Sequence, residues 1–144
     1  MAGICIFAAS SPNIDDKYIA AAESFGRCLA EHGFDLIFGG GRTGLMGACA
    51  RGVHSKGGRI VGVIPEKLNQ PGIPFEHCSE MIVTKDMHER KAMMADLADG
   101  FIAAPGGIGT MEELFETSAW SQLGLHEKPI GIYNVNNYYD CLIE

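Results

Sequence analysis

Short apolar runs recur along the chain, and each is bounded by glycine, proline or polar residues. Runs that are continuously apolar, rather than alternating with polar positions, are typical of strands buried on both faces of a parallel sheet. The pattern predicts six strands, at residues 3–9, 35–38, 59–64, 81–84, 100–104 and 128–133.

Helical spacing of apolar residues fills the intervals between these strands. In the first interval Asp15 or Asp16 can cap a helix that runs to His32, and Gly33 follows as a C-cap. Further helices are predicted at residues 45–55, 86–99 and 111–124. The helix at 86–99 is predicted to direct three apolar side chains inward, Met87, Met94 and Leu97. The alternation calls for a parallel α/β sheet with right-handed crossovers, in which ligands bind at the carboxyl ends of the strands.

Length and charge limit the possible functions. A chain of 144 residues, 47% of them hydrophobic and 20% charged, is typical of one globular domain. Its formal net charge of −7 argues against binding to nucleic acid or to an anionic membrane. Any phosphate ligand would therefore need local cations or backbone dipoles. Because the sequence stops at Glu144, just inside an expected helix, we expect the single domain at residues 1–144 to be truncated at its C-terminus.

The cysteines point to a reducing compartment. Five are scattered along the chain without a C-x-x-C pair or paired histidines: Cys5, Cys28, Cys49, Cys78 and Cys141. This spacing fits reduced thiols and predicts neither a disulfide framework nor a zinc site. No apolar run approaches the length that spans a bilayer. We expect a cytoplasmic protein without a metal or a cofactor.

A glycine-rich loop at residues 39–44 joins the second strand to the second helix and matches G-x-G-x-x-G. Glu66 lies about where the acidic residue that binds a dinucleotide ribose would be expected. The match lies on the second strand, and it lacks the lysine of a Walker A loop, which argues against nucleoside triphosphate hydrolysis. The alternative to a dinucleotide site is a tight turn with close helix packing.

A second glycine-rich loop follows the fifth strand, in the stretch Ala104-Pro105-Gly106-Gly107-Ile108-Gly109-Thr110-Met111-Glu112-Glu113. Free N–H groups at the start of the next helix form an anion site that the helix dipole reinforces. Carboxylates one turn later suggest chemistry beside a bound phosphate. Thr110 and Glu113 also match a capping box, in which Glu113 would bond back to the backbone. We favour a catalytic Glu113.

Two cations, Arg90 and Lys91, lie in the first turns of the helix predicted at residues 86–99. Cations near a helix N-terminus are unfavourable, so a phosphate or a carboxylate from a neighbouring loop is expected to offset them. The alternative is a solvated polar face.

Three segments together, residues 39–47, 87–91 and 105–113, resemble the LOG family of cytokinin riboside 5′-monophosphate phosphoribohydrolases, long described as lysine decarboxylases. The signature P-G-G-x-G-T-x-x-E is highly specific, and the likeness runs over nearly the whole chain. It implies a homodimer with a Rossmann-like three-layer sandwich, helices covering both faces of the parallel sheet. It also implies hydrolysis of a nucleoside 5′-monophosphate, a cytokinin nucleotide or AMP, to free base and ribose 5-phosphate.

By position, Arg90 and Glu113 match the catalytic pair of that family. We expect Arg90 to orient the carboxylate or the substrate and to keep Glu113 ionised. Residues expected to bind the substrate, from the same likeness and from the other strand-end loops, are Ser10, Gly40, Gly41, Lys91, Gly107, Ile108, Gly109, Thr110, Met111 and Glu112.

Two departures from the family pattern leave the choice of base open. Ala119 stands where many members carry a nucleotide-contacting threonine, and a further substrate-binding glutamate has two candidates, Glu66 and Glu76. Two other functions are considered: a non-catalytic nucleotide or cofactor carrier of the same fold, and an NAD(P)-dependent enzyme that uses residues 39–44. A lysine decarboxylase is disfavoured because no lysine lies in a motif for a pyridoxal phosphate Schiff base.

Overall fold

The structure, a computed structural model, describes residues 2–144, and residue 1 of the predicted domain lies outside the described residues. Six strands are present in this range: β1 (Gly3–Phe7), β2 (Asp35–Phe38), β3 (Ile60–Pro65), β4 (Glu80–Thr84), β5 (Gly100–Ala103) and β6 (Ile130–Ile132). They form one sheet in the order β4-β3-β2-β1-β5-β6. Every neighbouring pair is parallel, so the predicted parallel α/β sheet is confirmed.

The helices cover both faces of this sheet, as the Rossmann-like expectation required. Their bounds are α1 (Asp16–Glu31), α2 (Gly44–Ser55), α3 (Met87–Leu97), α4 (Ile108–Gln122) and α5 (Asp140–Ile143), with 3₁₀ turns at Glu66–Leu68 and Val135–Asn137. Alternate residues of β1 separate the two cores. Ile6 packs with α1 and α2, whereas Cys5 and Phe7 pack with Met94 of α3. Within residues 2–144, no helix is both long and apolar enough to cross a membrane.

The strand order fixes where a ligand can bind. From β1 the chain progresses outward through β2 and β3 to β4, then returns to place β5 on the other side of β1. The crevice between the carboxyl ends of β1 and β5 is therefore the topological switch point, where open parallel sheets bind their ligands.

Two predicted helices differ from the observed ones. In α3 only Met94 of the three predicted inner residues is buried, whereas Met87 is 43% and Leu97 39% exposed. The buried position in the first turn belongs to Arg90. Helix α4 begins at Ile108, three residues earlier than predicted, because Gly107 is its N-cap.

Helices α1 and α2 meet through glycines. A Cβ atom on Gly26 would overlap the carbonyl oxygen of Cys49, and one on Gly52 would overlap the carbonyl oxygen of Glu23. The two backbones can therefore approach closely only because both positions lack a side chain.

We expect Gly26→Ala to lower the free energy of unfolding by about 1–3 kcal/mol, since the new methyl group must push backbone atoms apart. Gly109→Ala is the matched control, because that helical position has no atom within 4 Å of a new Cβ. The control is expected to gain about 0.5–1 kcal/mol. Urea denaturation measures both, and wild-type stability in Gly26→Ala would contradict the close contact.

Candidate active site

A cavity of about 660 Å³ opens at the switch point. Its wall combines the loops after β1, β2 and β5, the first turns of α3 and α4, and part of the segment after β3. Most of the residues expected at the site line it: Ser10, Gly41, Arg90, Lys91, Gly107, Gly109, Thr110, Glu112 and Glu113. The strand-end loops that are separated in sequence thus meet around one space.

Three expected binding residues lie off this wall. Gly40 is buried behind it, where Met81 Sδ lies 3.2 Å from the position of a Cβ. Ile108 is 88% exposed on the outer side of α4, and Met111 is partly buried without reaching the cavity. Ala119 is also exposed and distant from the wall.

Neither glutamate considered for the further substrate contact lines the cavity. Glu66 is exposed in the 3₁₀ turn after β3. The Glu76 carboxylate accepts a hydrogen bond of 2.9 Å from Arg42 Nη1, which holds its pKa below the ordinary value. The dinucleotide hypothesis consequently loses its ribose-binding acid.

In the loop between β5 and α4, the N–H of Gly106 faces the Tyr139 hydroxyl oxygen, and in the described chain the N–H groups that follow it have no backbone acceptor. Among residues 2–144, no backbone carbonyl accepts from the N–H of any residue between Gly106 and Thr110. These donors include the first N–H groups of α4, where the helix dipole also favours an anion. Gly107 and Gly109 have no atoms near a Cβ position, so a ligand can approach the backbone closely.

The position of the helix start excludes the capping-box alternative. With Gly107 as N-cap, Thr110 is the third residue of α4 and Glu113 the sixth, too far along to cap it. The Thr110 side chain is buried against Gly106, where a Cβ would overlap its hydroxyl oxygen. Glu113 is consequently free to face the cavity.

Arg90 is a buried cation held by carbonyl groups. Its side chain is 8% exposed, and its Nε and Nη2 donate to the carbonyl oxygens of Val63 at 2.9 Å and Gly39 at 2.6 Å. Burial lowers the pKa of the guanidinium, although it stays far above neutral. A Cβ on Gly39 would overlap Arg90 Nη2, so this glycine makes room for the arginine.

Lys91 is neutralised by carboxylates from α4. Its Nζ donates to Glu112 Oε1 and lies 3.6 Å from Glu116 Oε2, and the side chain is 15% exposed. The hydrogen bond with Glu112 raises the pKa of Lys91 and lowers that of Glu112. The positive charge of Lys91 is thus compensated by carboxylates, and the guanidinium of Arg90 is held by backbone carbonyls. Neither side chain lies on a solvated face.

Burial determines the ionisation of Glu113. Removal of its carboxyl group from water raises the pKa to about 7, and the positive charges of Arg90 and Lys91 only partly oppose this rise. No ion pair within 4 Å joins Arg90 to Glu113 in residues 2–144. Arg90 favours the ionised form of Glu113, in the expected direction, but burial outweighs this effect.

One part of the wall was not expected from the sequence. Its side chains are apolar and come from α2, from β3 with the segment after it, and from α3: Met46, Ile64, Leu68, Ile73 and Met87. The signal that could have found it is the presence of apolar residues, among them Leu68 and Ile73, in a loop that carries no strand or helix pattern. No three His, Cys, Asp or Glu side chains group to hold a metal ion anywhere in residues 2–144.

Comparisons with known proteins place this geometry in context. A family model described as "Possible lysine decarboxylase" matches residues 46–144. The chain is 47% identical over 140 residues to "Cytokinin riboside 5'-monophosphate phosphoribohydrolase LOG7" of Arabidopsis thaliana, covering 97% of this chain and 64% of that protein. It spans 57–64% of the length of the first curated relatives that it matches.

Solved structures share the fold. The X-ray structure of the structural genomics target TM1055 matches with a TM-score of 0.74 and 28% identity, over 90% of this chain and 72% of that one. A Moco carrier protein from Chlamydomonas reinhardtii also reaches a TM-score of 0.74, at 21% identity and covering 98% and 83% of the two chains. At that identity the likeness shows the fold alone.

The pKa of Glu113 predicts how stability depends on pH. A carboxyl whose pKa is raised on folding, here from 4.5 to about 7, stabilises the native state at low pH, and this contribution is lost as the pH rises through 7. Glu113→Gln should therefore be more stable than wild type at pH 8, by up to about 3 kcal/mol, and no different at pH 4. Urea denaturation at the two pH values measures this.

Glu112→Gln is the matched control for that experiment. Because Lys91 lowers the pKa of Glu112, its carboxylate stabilises the native state above pH 4.5, so this substitution should reduce stability at pH 8. If Glu113→Gln also reduced the stability at pH 8, the ionised carboxylate of Glu113 would not destabilise the native state as its burial in the structure implies.

Proposed function

The chain belongs to the LOG family, which the matching family model represents, and on this premise we propose that it hydrolyses the N-glycosidic bond of a nucleoside 5′-monophosphate. The products would be the free base and ribose 5-phosphate. The observation that carries the proposal is the presence, in one cavity, of unpaired backbone N–H groups and a carboxyl group whose pKa is close to neutral.

The N–H groups of the loop before α4 are assigned to the 5′-phosphate. Gly107 and Gly109 present free donors at the helix start, and Thr110 follows them. Lys91 and Glu112 line the same wall, so we assign the lysine a second state, in which the phosphate replaces Glu112 as its partner. Binding at a group remote from the reaction then holds the sugar in place for chemistry.

Glu113 is assigned to the reacting carbon, C1′ of the ribose. As the bond from C1′ to the base nitrogen breaks, positive charge develops on the sugar, and a carboxylate beside it stabilises that charge. The attacking water forms the new C1′–O bond and gives a proton to Glu113. The base leaves with the electron pair of the broken bond and takes up one proton, and Glu113 returns its proton to solvent. A pKa of about 7 suits this exchange, because a general base works best when its pKa lies near the operating pH.

The base is assigned to the apolar part of the wall. Side chains such as Ile64 and Ile73 can pack on the flat face of a purine. An adenine base, as in AMP or a cytokinin nucleotide, fits this surface. The five free cysteines of the described chain support the further proposal that the protein works in the cytoplasm.

A second copy of the chain is the proposed partner. The outer side of α4 exposes apolar side chains about two turns apart, and this surface continues past the end of the helix: Ile108, Phe115, Leu123 and Leu125. A surface of this kind is typical of a subunit interface. We propose that the outer side of α4 packs against a second copy in a homodimer.

Glu113→Gln is expected to slow base release from AMP by at least about 100-fold, because glutamine keeps the size of the side chain but cannot accept a proton. Glu112→Gln, which removes a carboxylate one residue away, should retain catalysis with an altered KM. Chromatography of the released base under substrate-saturating conditions measures both variants. Release at the wild-type rate from Glu113→Gln would contradict the catalytic assignment.

The carrier alternative predicts a different outcome for the wild-type protein. A carrier binds AMP in calorimetry without releasing adenine, whereas the proposed enzyme releases it. A panel of nucleoside monophosphates, with free base measured for each, separates the two functions and also orders the possible bases.

Phe115→Glu is expected to convert the dimer to a monomer, because the side chain is 55% exposed in the single chain and a charge there opposes association. Sedimentation velocity measures the mass. Lys17→Glu, an exposed change on α1, is the control and should leave the mass unchanged. A wild-type protein that sediments as a monomer would contradict the proposed interface.

A further inference from the structure

The chain that follows β6 returns to the phosphate loop. Asn136 and Asn137 adopt left-handed backbone conformations, with φ values of 50° and 61°, and together they reverse its direction. Asn134 fixes the returning segment, because its Oδ1 accepts from Tyr139 N at 2.6 Å and its Nδ2 donates to Asp140 at 2.8 Å. Two consecutive tyrosines are thereby placed against the loop before α4.

Both tyrosine hydroxyls donate to carbonyl oxygens of that loop. Tyr139 Oη donates to Ala104 at 2.6 Å, and Tyr138 Oη donates to Gly106 at 2.7 Å. The two acceptors flank Pro105, whose own carbonyl accepts from Ala9 N at 3.1 Å. The carbonyl of Ala103 accepts from Tyr133 N, and that of Gly107 accepts from Met111 N. All five carbonyls from Ala103 to Gly107 are thus hydrogen-bonded.

The orientation of the carbonyls determines the orientation of the N–H groups. A peptide unit is planar and directs its C=O and its N–H to opposite sides. The carbonyl of Gly106 belongs to the same unit as the N–H of Gly107. By binding that carbonyl from outside the cavity, Tyr138 keeps the Gly107 N–H available to an anion inside it.

This peptide unit is the one that most needs a restraint. It joins two glycines, which have wide backbone freedom, and Gly107 has no neighbouring atom within 4 Å of a Cβ position. If the unit flipped, a carbonyl oxygen would face the phosphate and repel it.

We propose that Tyr138 is a positioning residue, which holds the Gly106–Gly107 peptide in the orientation that binds the phosphate of the substrate. The inference rests on the proposed function, since it assigns that loop to a 5′-phosphate. Tyr138 is itself placed by edge contacts with Tyr18, at 5.9 Å between ring centroids, and with Tyr139, at 4.9 Å.

Tyr139 has a different role from its neighbour. Its carbonyl partner, Ala104, shares a peptide unit with Pro105, which has no N–H to offer a ligand. The N–H of Gly106 faces the Tyr139 oxygen rather than the cavity. Tyr139 is also buried, whereas Tyr138 is 45% exposed. Removing the Tyr139 hydroxyl should therefore reduce stability, and removing the Tyr138 hydroxyl should affect phosphate binding.

The test measures by calorimetry how tightly the full chain binds AMP and adenosine, which lacks the phosphate. The chain carries Glu113→Gln throughout, so that the bound nucleotide is not hydrolysed during the measurement. Adding Tyr138→Phe is expected to weaken AMP binding by about threefold to tenfold, the worth of one hydrogen bond, and to leave adenosine binding unchanged. In the otherwise wild-type enzyme, the same change should raise KM for AMP more than it lowers kcat.

Tyr18→Phe is the matched control, because it removes a neighbouring phenol that makes no hydrogen bond to the loop in the described structure. It should leave both affinities unchanged. Equal losses for AMP and adenosine in Tyr138→Phe would indicate a merely structural role and overturn the inference, as would no loss for AMP. If the protein binds neither ligand before the change, the proposed function fails and the inference fails with it.

Discussion

The buried guanidinium of Arg90 is the interaction on which the site depends. It brings the first turn of α3 against the ends of β2 and β3, because it donates to the carbonyl oxygens of Gly39 and Val63. Burying a cation is costly unless its donors find partners, and here two neutral carbonyls and the Met87 sulfur, rather than a carboxylate, accept from it. The charge is consequently not cancelled by a carboxylate, so its field extends into the cavity.

Glu113 experiences two opposing effects, of which the loss of water is the larger. Loss of water favours the neutral acid, whereas the nearby cations favour the carboxylate, and the net result is a pKa of about 7. Lys91 adds less than its charge suggests, because Glu112 and Glu116 hold it. In a chain with a net charge of −7, the proposed anion site therefore relies on local backbone orientation rather than on an excess of cations.

The sequence predicted the sheet well because short, continuous apolar runs between turn residues are rarely found in any structure other than a buried strand. It misplaced the start of α4, since Thr110 is a common capping residue and Gly107 gives no side-chain signal. Local patterns also assigned Met87 to the core, although the inward position of that turn belongs to Arg90. The ionisation of Glu113 and the contacts of Tyr138 arise only when distant segments meet, so no local pattern could supply them.

The absence of a side chain at Gly39 has an evolutionary consequence. Because a Cβ there would occupy the space of the Arg90 guanidinium, the two positions, 51 residues apart in sequence, are not independent. A methyl group at position 39 is harmful while the arginine is present, and much less so once a shorter side chain replaces it. A side chain at position 39 would push the guanidinium away from the carbonyl oxygens of Gly39 and Val63, so substitutions at the two positions are expected to be coupled.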